Sequence, residues 1–179
     1  LYNHFEIRLA QQSFEESRIS RDFQDSLRLK RTEKVEAYSA NFDFTKHLKS
    51  RHTIYYGIET VINDVRSTGT EENIKQGISE AGPSRYPDAM WSSYGIYLSD
   101  HYELSDKASL QAGFRYNQYL LTADFDTSFY PLPFTETELS NASLSGSFGM
   151  VYRPSKKWIL SINASTGFRS PNVDDIGKV

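Results

Sequence analysis

The chain contains no cysteine among its 179 residues. Disulfide bridges, thiolate metal ligands and a cysteine nucleophile are therefore excluded. The sequence also lacks a long apolar run, which excludes a transmembrane helix, because such a helix needs about 20 predominantly apolar residues. A mean hydropathy of −0.58 does not exclude a transmembrane β-strand, whose polar half offsets its apolar half.

An excess of positive charge is also missing. The chain has 20 Lys and Arg against 23 Asp and Glu, which gives a formal net charge of −3. This balance supplies no long-range attraction to DNA or RNA, so no nucleic-acid partner is predicted. Hydrophobic residues make up only 38% although aromatics alone reach 14%, so the aliphatic residues are the scarce ones.

The two ends of the sequence lack the features of complete termini. The chain starts at Leu1 without a basic stretch followed by an apolar one, so no targeting segment is predicted. It stops shortly after the turn signal Ser170-Pro171. We expect this chain to be an excerpt of a longer protein.

Apolar and polar residues alternate along most of the chain, and helical periodicity is almost absent. Leu110, Phe114 and Tyr116 share one face of such a run, and small or polar residues occupy the other. The pattern predicts one all-β domain over 1–179, an antiparallel up-and-down meander of about seven strands. These strands are predicted near residues 3–10, 33–44, 52–63, 91–102, 108–117, 141–153 and 158–168.

The connections between these strands alternate strictly between short and long. Short connections cover 45–50, 103–107 and 153–157, and long ones cover 11–32, 64–90 and 118–140. All long loops therefore emerge at one end of the sheet. A soluble sandwich has no reason to sort its loops in this way, whereas a transmembrane barrel does.

Strand length and aromatic placement point the same way. The run 53–63 matches the roughly 9–11 residues with which a tilted strand crosses hydrocarbon. Phe44, Tyr102 and Trp158 lie beside the short turns, as in an interfacial aromatic girdle. The alternative is that such rings close the open end of a soluble barrel.

The predicted barrel is wide. Seven strands do not close, because bacterial outer-membrane barrels of one chain have an even strand number. Ser143, Ser145 and Ser147 leave the polar face unfilled, whereas a narrow barrel needs bulky interior side chains. The chain is therefore predicted to be an arc of a large transmembrane β-barrel whose lumen holds water or another domain.

One segment carries a family resemblance. Residues 167–172, GFRSPN, followed by 173–176, VDDI, resemble the GFRAPN-plus-acidic signature of TonB-dependent outer-membrane receptors, with Ser170 in place of Ala. Residues 91–100 and 112–116 are similar to further strands of the same barrels. The residues matching the motif are Gly167, Phe168, Arg169, Pro171 and Asn172.

The resemblance implies a function and a set of partners. The parent protein would be a 22-stranded barrel with a plugged lumen, in the outer membrane of a Gram-negative type of cell. It would import a scarce siderophore, haem, cobalamin or glycan ligand with energy relayed by TonB. Its partners would be outer-membrane lipid, its own plug domain, TonB and the ligand, with plug and TonB box in regions absent from this chain.

No catalytic constellation is visible, and neither a cofactor nor a metal site is predicted. Asp124 and Asp126 stand close in sequence, but they lack the glycine-containing loop of a good Ca²⁺ site. Ligand contacts are expected on the long loops, because binding residues concentrate in loops on a rigid scaffold. The candidates are Arg85, Tyr86, Trp91, Phe129, Tyr130 and Phe134.

The same loop residues have a purely structural alternative, in which their rings pack the loops against one another. For the motif a structural role is favoured, because Pro171 ends the strand ladder and starts an ordered loop. Arg169 is then expected to meet a carboxylate of the plug, Asp174 or Asp175, and to latch the loop inward. Two other functions stay open: a passive porin or adhesin barrel, and a soluble β-sandwich or lipocalin-like binding module.

Overall fold

A computed structural model describes residues 1–177 and shows one antiparallel sheet. The elements are β1 (His4–Ser20), β2 (Leu27–Leu48), β3 (His52–Asn73), β4 (Ile78–Gly82), β5 (Asp88–Ser105), β6 (Ala108–Asp124), β7 (Glu136–Ser155), β8 (Trp158–Ser165) and α1 (Val173–Gly177). The strands follow the order β1-β2-β3-β5-β6-β7-β8 in the sheet, and the short β4 pairs only with β3. The all-β meander is therefore confirmed, and the two packed sheets of a soluble sandwich are absent from the described residues.

Most strands are longer than the alternation predicted. β2 and β3 have 22 residues each and extend far into segments expected to be loops. The ladder between β1 and β2 continues to the pair Ser20↔Leu29. Alternation fades here because both faces are polar, but backbone pairing satisfies the N–H and C=O groups whatever the side chains are. The prediction followed side chains and therefore stopped too early.

Two further differences concern strand number and the last strand. The additional strand β4 has five residues and folds back on β3 through a turn in which Gly77 has φ +70°. β8 ends at Ser165 rather than at 168. Thr166 still donates its backbone N–H to the Gly146 carbonyl at 2.9 Å, and the chain then leaves the sheet.

Loops are sorted between the two ends of the sheet, as predicted. Residues 49–51, 106–107 and 156–157 form tight turns at one end, which we call the short-turn end. Residues 21–26, 83–87 and 125–135 connect strands at the other, the long-loop end. Lys49 accommodates the first tight turn with a φ of 55°.

The two faces of the sheet differ in polarity. On the apolar face, Ile58, Ile96 and Leu144 belong to one row across the strands and are 52%, 58% and 72% exposed. Among the described residues, only four hydrophobic side chains are buried, and three of them are alanines: Ala89, Ala108, Leu121 and Ala123. A sheet in water does not leave its large apolar side chains on the surface while burying almost none.

Rings cluster on the apolar face near the short-turn end. Phe44 stacks between Phe5 and Tyr56, with centroid distances of 4.6 and 5.1 Å. On the same face, His52 of β3 stacks on Tyr102 of β5 at 4.3 Å. The rings near the short turns therefore share one face of the sheet, and their position at a membrane interface stays a prediction.

The small buried cluster lies at the long-loop end, on the polar face. Ala89, Leu121 and Ala123 form its centre, and Val173 and Ile176 of α1 pack against it. The short helix is therefore held over the polar face of the sheet. No helix within the described residues is long and apolar enough to cross a membrane.

Candidate functional site

Charged side chains connect β1, β2 and β5 across the polar face. Arg8 on β1 donates from Nη2 to Asp43 on β2 at 2.6 Å. The Tyr97 hydroxyl on β5 donates to the other oxygen of the same carboxylate, Oδ1. β3 lies between β2 and β5, so Tyr97 reaches across a whole strand to contact Asp43.

A second ion pair on the polar face joins β3 and β6, which are separated by β5. Arg115 donates from Nη1 to Glu59 at 2.7 Å and from Nε to Asn117 at 2.7 Å. The Arg115 and Glu59 side chains are 33% and 30% exposed, so water screens their attraction only in part. The arrangement gives the polar face a fixed pattern of charges.

Two glycines make these long reaches possible. A Cβ on Gly57 would lie 2.5 Å from the Phe42 carbonyl oxygen and 2.8 Å from the Tyr97 hydroxyl. A Cβ on Gly95 would lie 2.5 Å from Nη2 of Arg115. Each long side chain therefore lies flat over a glycine of the neighbouring strand.

At the long-loop end, Ser67 organises the loop 83–87. Its Oγ accepts the backbone N–H groups of Arg85 and Tyr86 at 3.2 and 3.3 Å, and its own N–H donates to Asp88 at 2.9 Å. Arg85 is 8% exposed and its guanidinium lies 5.1 Å from the centroid of the Tyr86 ring. These contacts fold the loop onto the sheet.

An aromatic row links the loop end to the motif segment. Trp91 and Tyr119 lie with centroids 6.0 Å apart, and Tyr119 lies 5.3 Å from Phe168. Trp91 and Tyr119 belong to the polar face, so Phe168 turns inward over it. Gly167 precedes this turn and has open space around its Cβ position.

After Pro171, a reciprocal pair of hydrogen bonds between Asn172 and Asp175 caps the start of α1. Asn172 Oδ1 accepts the Asp175 N–H at 3.1 Å, and Asp175 Oδ2 accepts the Asn172 N–H at 3.0 Å. This is the capping-box arrangement of a helix start, with an aspartate as the fourth residue. Arg169 donates from Nη2 to both Asp175 oxygens at 3.0 Å.

The cap also explains the acidity of Asp175. The backbone N–H of Asn172 and, more weakly, the charge and hydrogen bond of Arg169 hold the pKa of the Asp175 carboxyl below its usual value. Of the carboxylates expected to meet Arg169, Asp175 is contacted, and the side chain of Asp174 lies outside the described part of the structure. The contact agrees with an inward latch, whose functional role stays a prediction.

The loop 125–135 carries the other three predicted ligand contacts: Phe129, Tyr130 and Phe134. Phe129 lines a cavity of about 420 Å³ together with Asp88 and Asp126. Phe134 packs edge-on against Phe125 at 5.2 Å, and the Tyr130 carbonyl accepts the Leu132 N–H at 2.7 Å. Of the six predicted contacts, Tyr86 and Trp91 share a cavity with Asn172, whereas Phe129 lies in a different one.

No metal-binding group emerges from this loop. Ser128 donates to Asp126 from its hydroxyl and its backbone N–H, and these hydrogen bonds lower the pKa of the Asp126 carboxyl. Within the described part of the chain, no three His, Asp or Glu side chains gather closely enough to hold a metal ion.

Sequence reasoning missed the charged network of the polar face. Arg8, Asp43, Glu59, Tyr97 and Arg115 were read only as the polar half of an alternating pattern. The available signal was a bulky charged or aromatic residue facing a glycine on a neighbouring strand, as in the pair Gly57↔Tyr97. Pairing partners are needed to use it, because these residues are far apart in sequence.

Comparisons with known proteins agree with this architecture. A family model described as "TonB dependent receptor-like, beta-barrel" matches residues 2–178. Among solved structures, the copper transporter OprC superposes with a TM-score of 0.71 at 10% sequence identity, over 85% of this chain and 24% of that chain. The chain thus spans about a quarter of OprC, and the likeness concerns the fold. No curated protein sequence matches the chain.

Proposed function

The chain belongs to the TonB-dependent receptor-like β-barrel family, and we propose on this premise that it forms one arc of the wall of an outer-membrane receptor. This receptor would import a scarce ligand of the siderophore, haem, cobalamin, glycan or metal-ion class with energy relayed by TonB. The observation that carries the proposal is the contrast between a bare apolar face and a polar face with a fixed charge pattern. Lipid would cover the former, and the lumen would contain the latter.

The height of the apolar band supports a position in the membrane. On β3 it runs from Ile54 to Ile62, and the charged Asp64 and Arg66 follow on the same face. At about 3.4 Å per residue this segment is roughly 27 Å long. With a strand tilt of about 35–45° it spans about 20 Å, close to the roughly 25 Å band of outer-membrane barrels.

The polar network supports a lumen that contains a folded domain. Arg8, Asp43, Glu59 and Arg115 are held by one another rather than extended into open space. Such pre-ordered groups lose little entropy when another surface packs on them. We propose that the receptor's own plug domain lies against this wall, and that plug and TonB box belong to regions outside this chain.

The long-loop end is where the ligand would enter. Tyr86, Trp91 and Asn172 line one cavity there, and Phe129 lines another. Arg85 would order the Tyr86 ring by stacking on it. In this proposal the motif segment acts as the latch that keeps Phe168 and α1 over the wall.

A transport experiment with the complete receptor tests the proposal. The receptor is purified from outer membranes, and co-purified ligand is identified by mass spectrometry. Accumulation of that ligand is then compared in cells with and without TonB. We expect surface binding to persist and accumulation to stop without TonB; equal accumulation in both strains contradicts an energy-coupled receptor.

Conductance separates this function from a passive porin. The complete protein is inserted into a planar lipid bilayer, and the current is recorded. A plugged receptor conducts little, whereas an unplugged barrel of similar size holds an aqueous channel open. A large steady conductance favours the porin alternative.

A further inference from the structure

A cavity of about 370 Å³ lies on the polar face at the long-loop end. β1, β2, β3 and β5 form its floor, and Asn172 and Val173 at the start of α1 lie over it. Phe14, Tyr86 and Trp91 contribute aromatic lining. Its volume is within the range of small-molecule sites in proteins.

One lining residue is a buried carboxylate with an unused oxygen. Glu33 is 6% exposed, and its Oε1 is buried without a hydrogen-bond partner. Most buried polar atoms in native proteins have a partner, because an unpaired one has lost its hydration without compensation. A carboxylate that lines a cavity and has a buried, unpaired oxygen therefore indicates a missing donor.

The neighbouring cations of the chain do not supply that donor to Oε1. Glu16, directly opposite Glu33 on β1, already accepts the Nε of Arg18 at 2.9 Å. Arg31 lies two residues from Glu33 on the same face of β2, and its Nε is itself buried without a partner. Opposite Glu33 on β3, Ser67 uses its N–H and Oγ for the loop contacts described above.

We propose that this cavity binds the ammonium group of an organic cation that carries an apolar body, with the Glu33 carboxylate as the acceptor. An ammonium donor forms a charge-assisted hydrogen bond with a carboxylate, which is stronger than a neutral one. The aromatic faces of Trp91 and Phe14 attract a cation and, together with Tyr86, receive the apolar body. The inference rests on the proposed function, since it names a ligand class for the same receptor.

Calorimetric titration of the complete receptor in detergent tests the site. Benzylamine, which carries an ammonium group at pH 7, is compared with neutral benzyl alcohol and anionic phenylacetate. The variant Glu33→Gln keeps the size of the side chain and removes its charge. Glu138→Gln, at an exposed position of β7, is the matched control, and electrophoretic mobility without boiling reports that each barrel is folded.

We expect benzylamine to bind at least about tenfold more tightly than benzyl alcohol, as one charge-assisted hydrogen bond allows. Glu33→Gln should remove this preference, whereas Glu138→Gln should keep it. The inference is overturned by equal affinity for benzylamine and benzyl alcohol, by a preference for phenylacetate, or by unchanged binding to Glu33→Gln. It is also overturned if wild-type receptor binds no benzylamine, as when a basic side chain of the plug fills the cavity.

The wild-type comparison needs no variant, so a Glu33→Gln barrel that fails to fold still leaves a decisive measurement. Binding in detergent is also independent of TonB. Selective benzylamine binding together with TonB-independent accumulation would retain the site and reject the uptake function. TonB-dependent accumulation without benzylamine selectivity would retain the uptake function and reject the site.

Discussion

The hydroxyl of Tyr97 on β5 donates a hydrogen bond to the carboxylate of Asp43 on β2, and the whole of β3 lies between them. The ring crosses β3 at Gly57, which pairs with Asp43 on one side and with Tyr97 on the other. A glycine thus permits a contact between two strands that are not neighbours. This contact links β2 directly to β5, which the backbone ladder does not.

Replacing Gly57 by alanine should destabilise the folded barrel. The added Cβ would lie 2.5 Å from the Phe42 carbonyl oxygen and 2.8 Å from Tyr97, so ring and backbone must shift. We expect a loss of about 1–3 kcal/mol in the free energy of unfolding, as for other overpacked sites. Urea unfolding in detergent measures it. Gly146→Ala is the control, because its Cβ would be 3.6 Å from the nearest atom; equal losses in both variants contradict the explanation.

The pair Glu59 and Arg115 should be energetically coupled. Each side chain is about one third exposed, and removal of either leaves a partly dehydrated charge. In a double-mutant cycle with Glu59→Gln and Arg115→Met, we expect a coupling energy of about 1–3 kcal/mol from unfolding titrations. The exposed Arg153→Met combined with Glu59→Gln should show additive effects. A coupling near zero for the first cycle would mean that water screens the pair completely.

A lysine should be tolerated on one face of β7 and not on the other. Leu144 is 72% exposed on the apolar face, and Ser147 is exposed on the polar face. In lipid vesicles, Leu144→Lys should lower the free energy of unfolding by about 2–4 kcal/mol, since a charge near the bilayer midplane is costly. Ser147→Lys should change it little. Similar values for the two variants would exclude lipid contact on the apolar face.

Removal of the Arg169 guanidinium should affect folding more than binding. Arg169→Ala loses both hydrogen bonds to Asp175, which fasten α1 to the loop before it, so the conformation of the segment 166–177 is less firmly fixed. We expect a lower yield of folded receptor and faster proteolysis of this segment, with ligand affinity of the folded fraction nearly unchanged. Arg153→Ala serves as the comparison. Normal folding with lost binding would instead identify Arg169 as a ligand contact.

The cap on α1 should weaken in acid. The Asn172 N–H is the main cause of the lowered pKa of Asp175, and Arg169 adds to it. A carboxyl with a lowered folded-state pKa stabilises the cap above the unfolded value of about 3.9, and the contribution disappears as pH falls through the folded value. Carbon-13 NMR titration of the Asp175 carboxyl tests this. Arg169→Ala should raise the pKa of Asp175 only part of the way to its ordinary value, because the Asn172 hydrogen bond remains. A wild-type pKa at or above the ordinary value contradicts the cap.

Much of the architecture was predictable from alternation alone. The apolar positions of residues 109–117 lie on one face of β6, as the period of two requires. Sorting of short and long connections was equally visible in the sequence. The extensions of β1, β2 and β3 were not, because residues such as Arg18 and Arg31 pair through the backbone while both faces are polar.

The candidate site was predictable only in part. The motif from Gly167 to Asn172 stands out in the sequence, and so does the expectation that Arg169 meets a nearby carboxylate. Its partner Asp175 is six residues away, within reach of local reasoning. The contact between Arg115 and Glu59 joins residues 56 positions apart, and no local pattern contains it.

By itself, the sequence determined that this chain is a sheet with one apolar and one polar face, because side-chain direction along a strand follows directly from residue order. It also determined that the short turns lie at one end of the sheet and the long loops at the other. Only the tertiary structure decided which polar residues meet. Strand register placed Gly57 between Asp43 and Tyr97, and the folding of α1 over the wall brought Asn172 and Val173 to the cavity beside Glu33. These relationships depend on pairing between distant segments, and the physical information for them lies in three-dimensional packing rather than in any local run of residues.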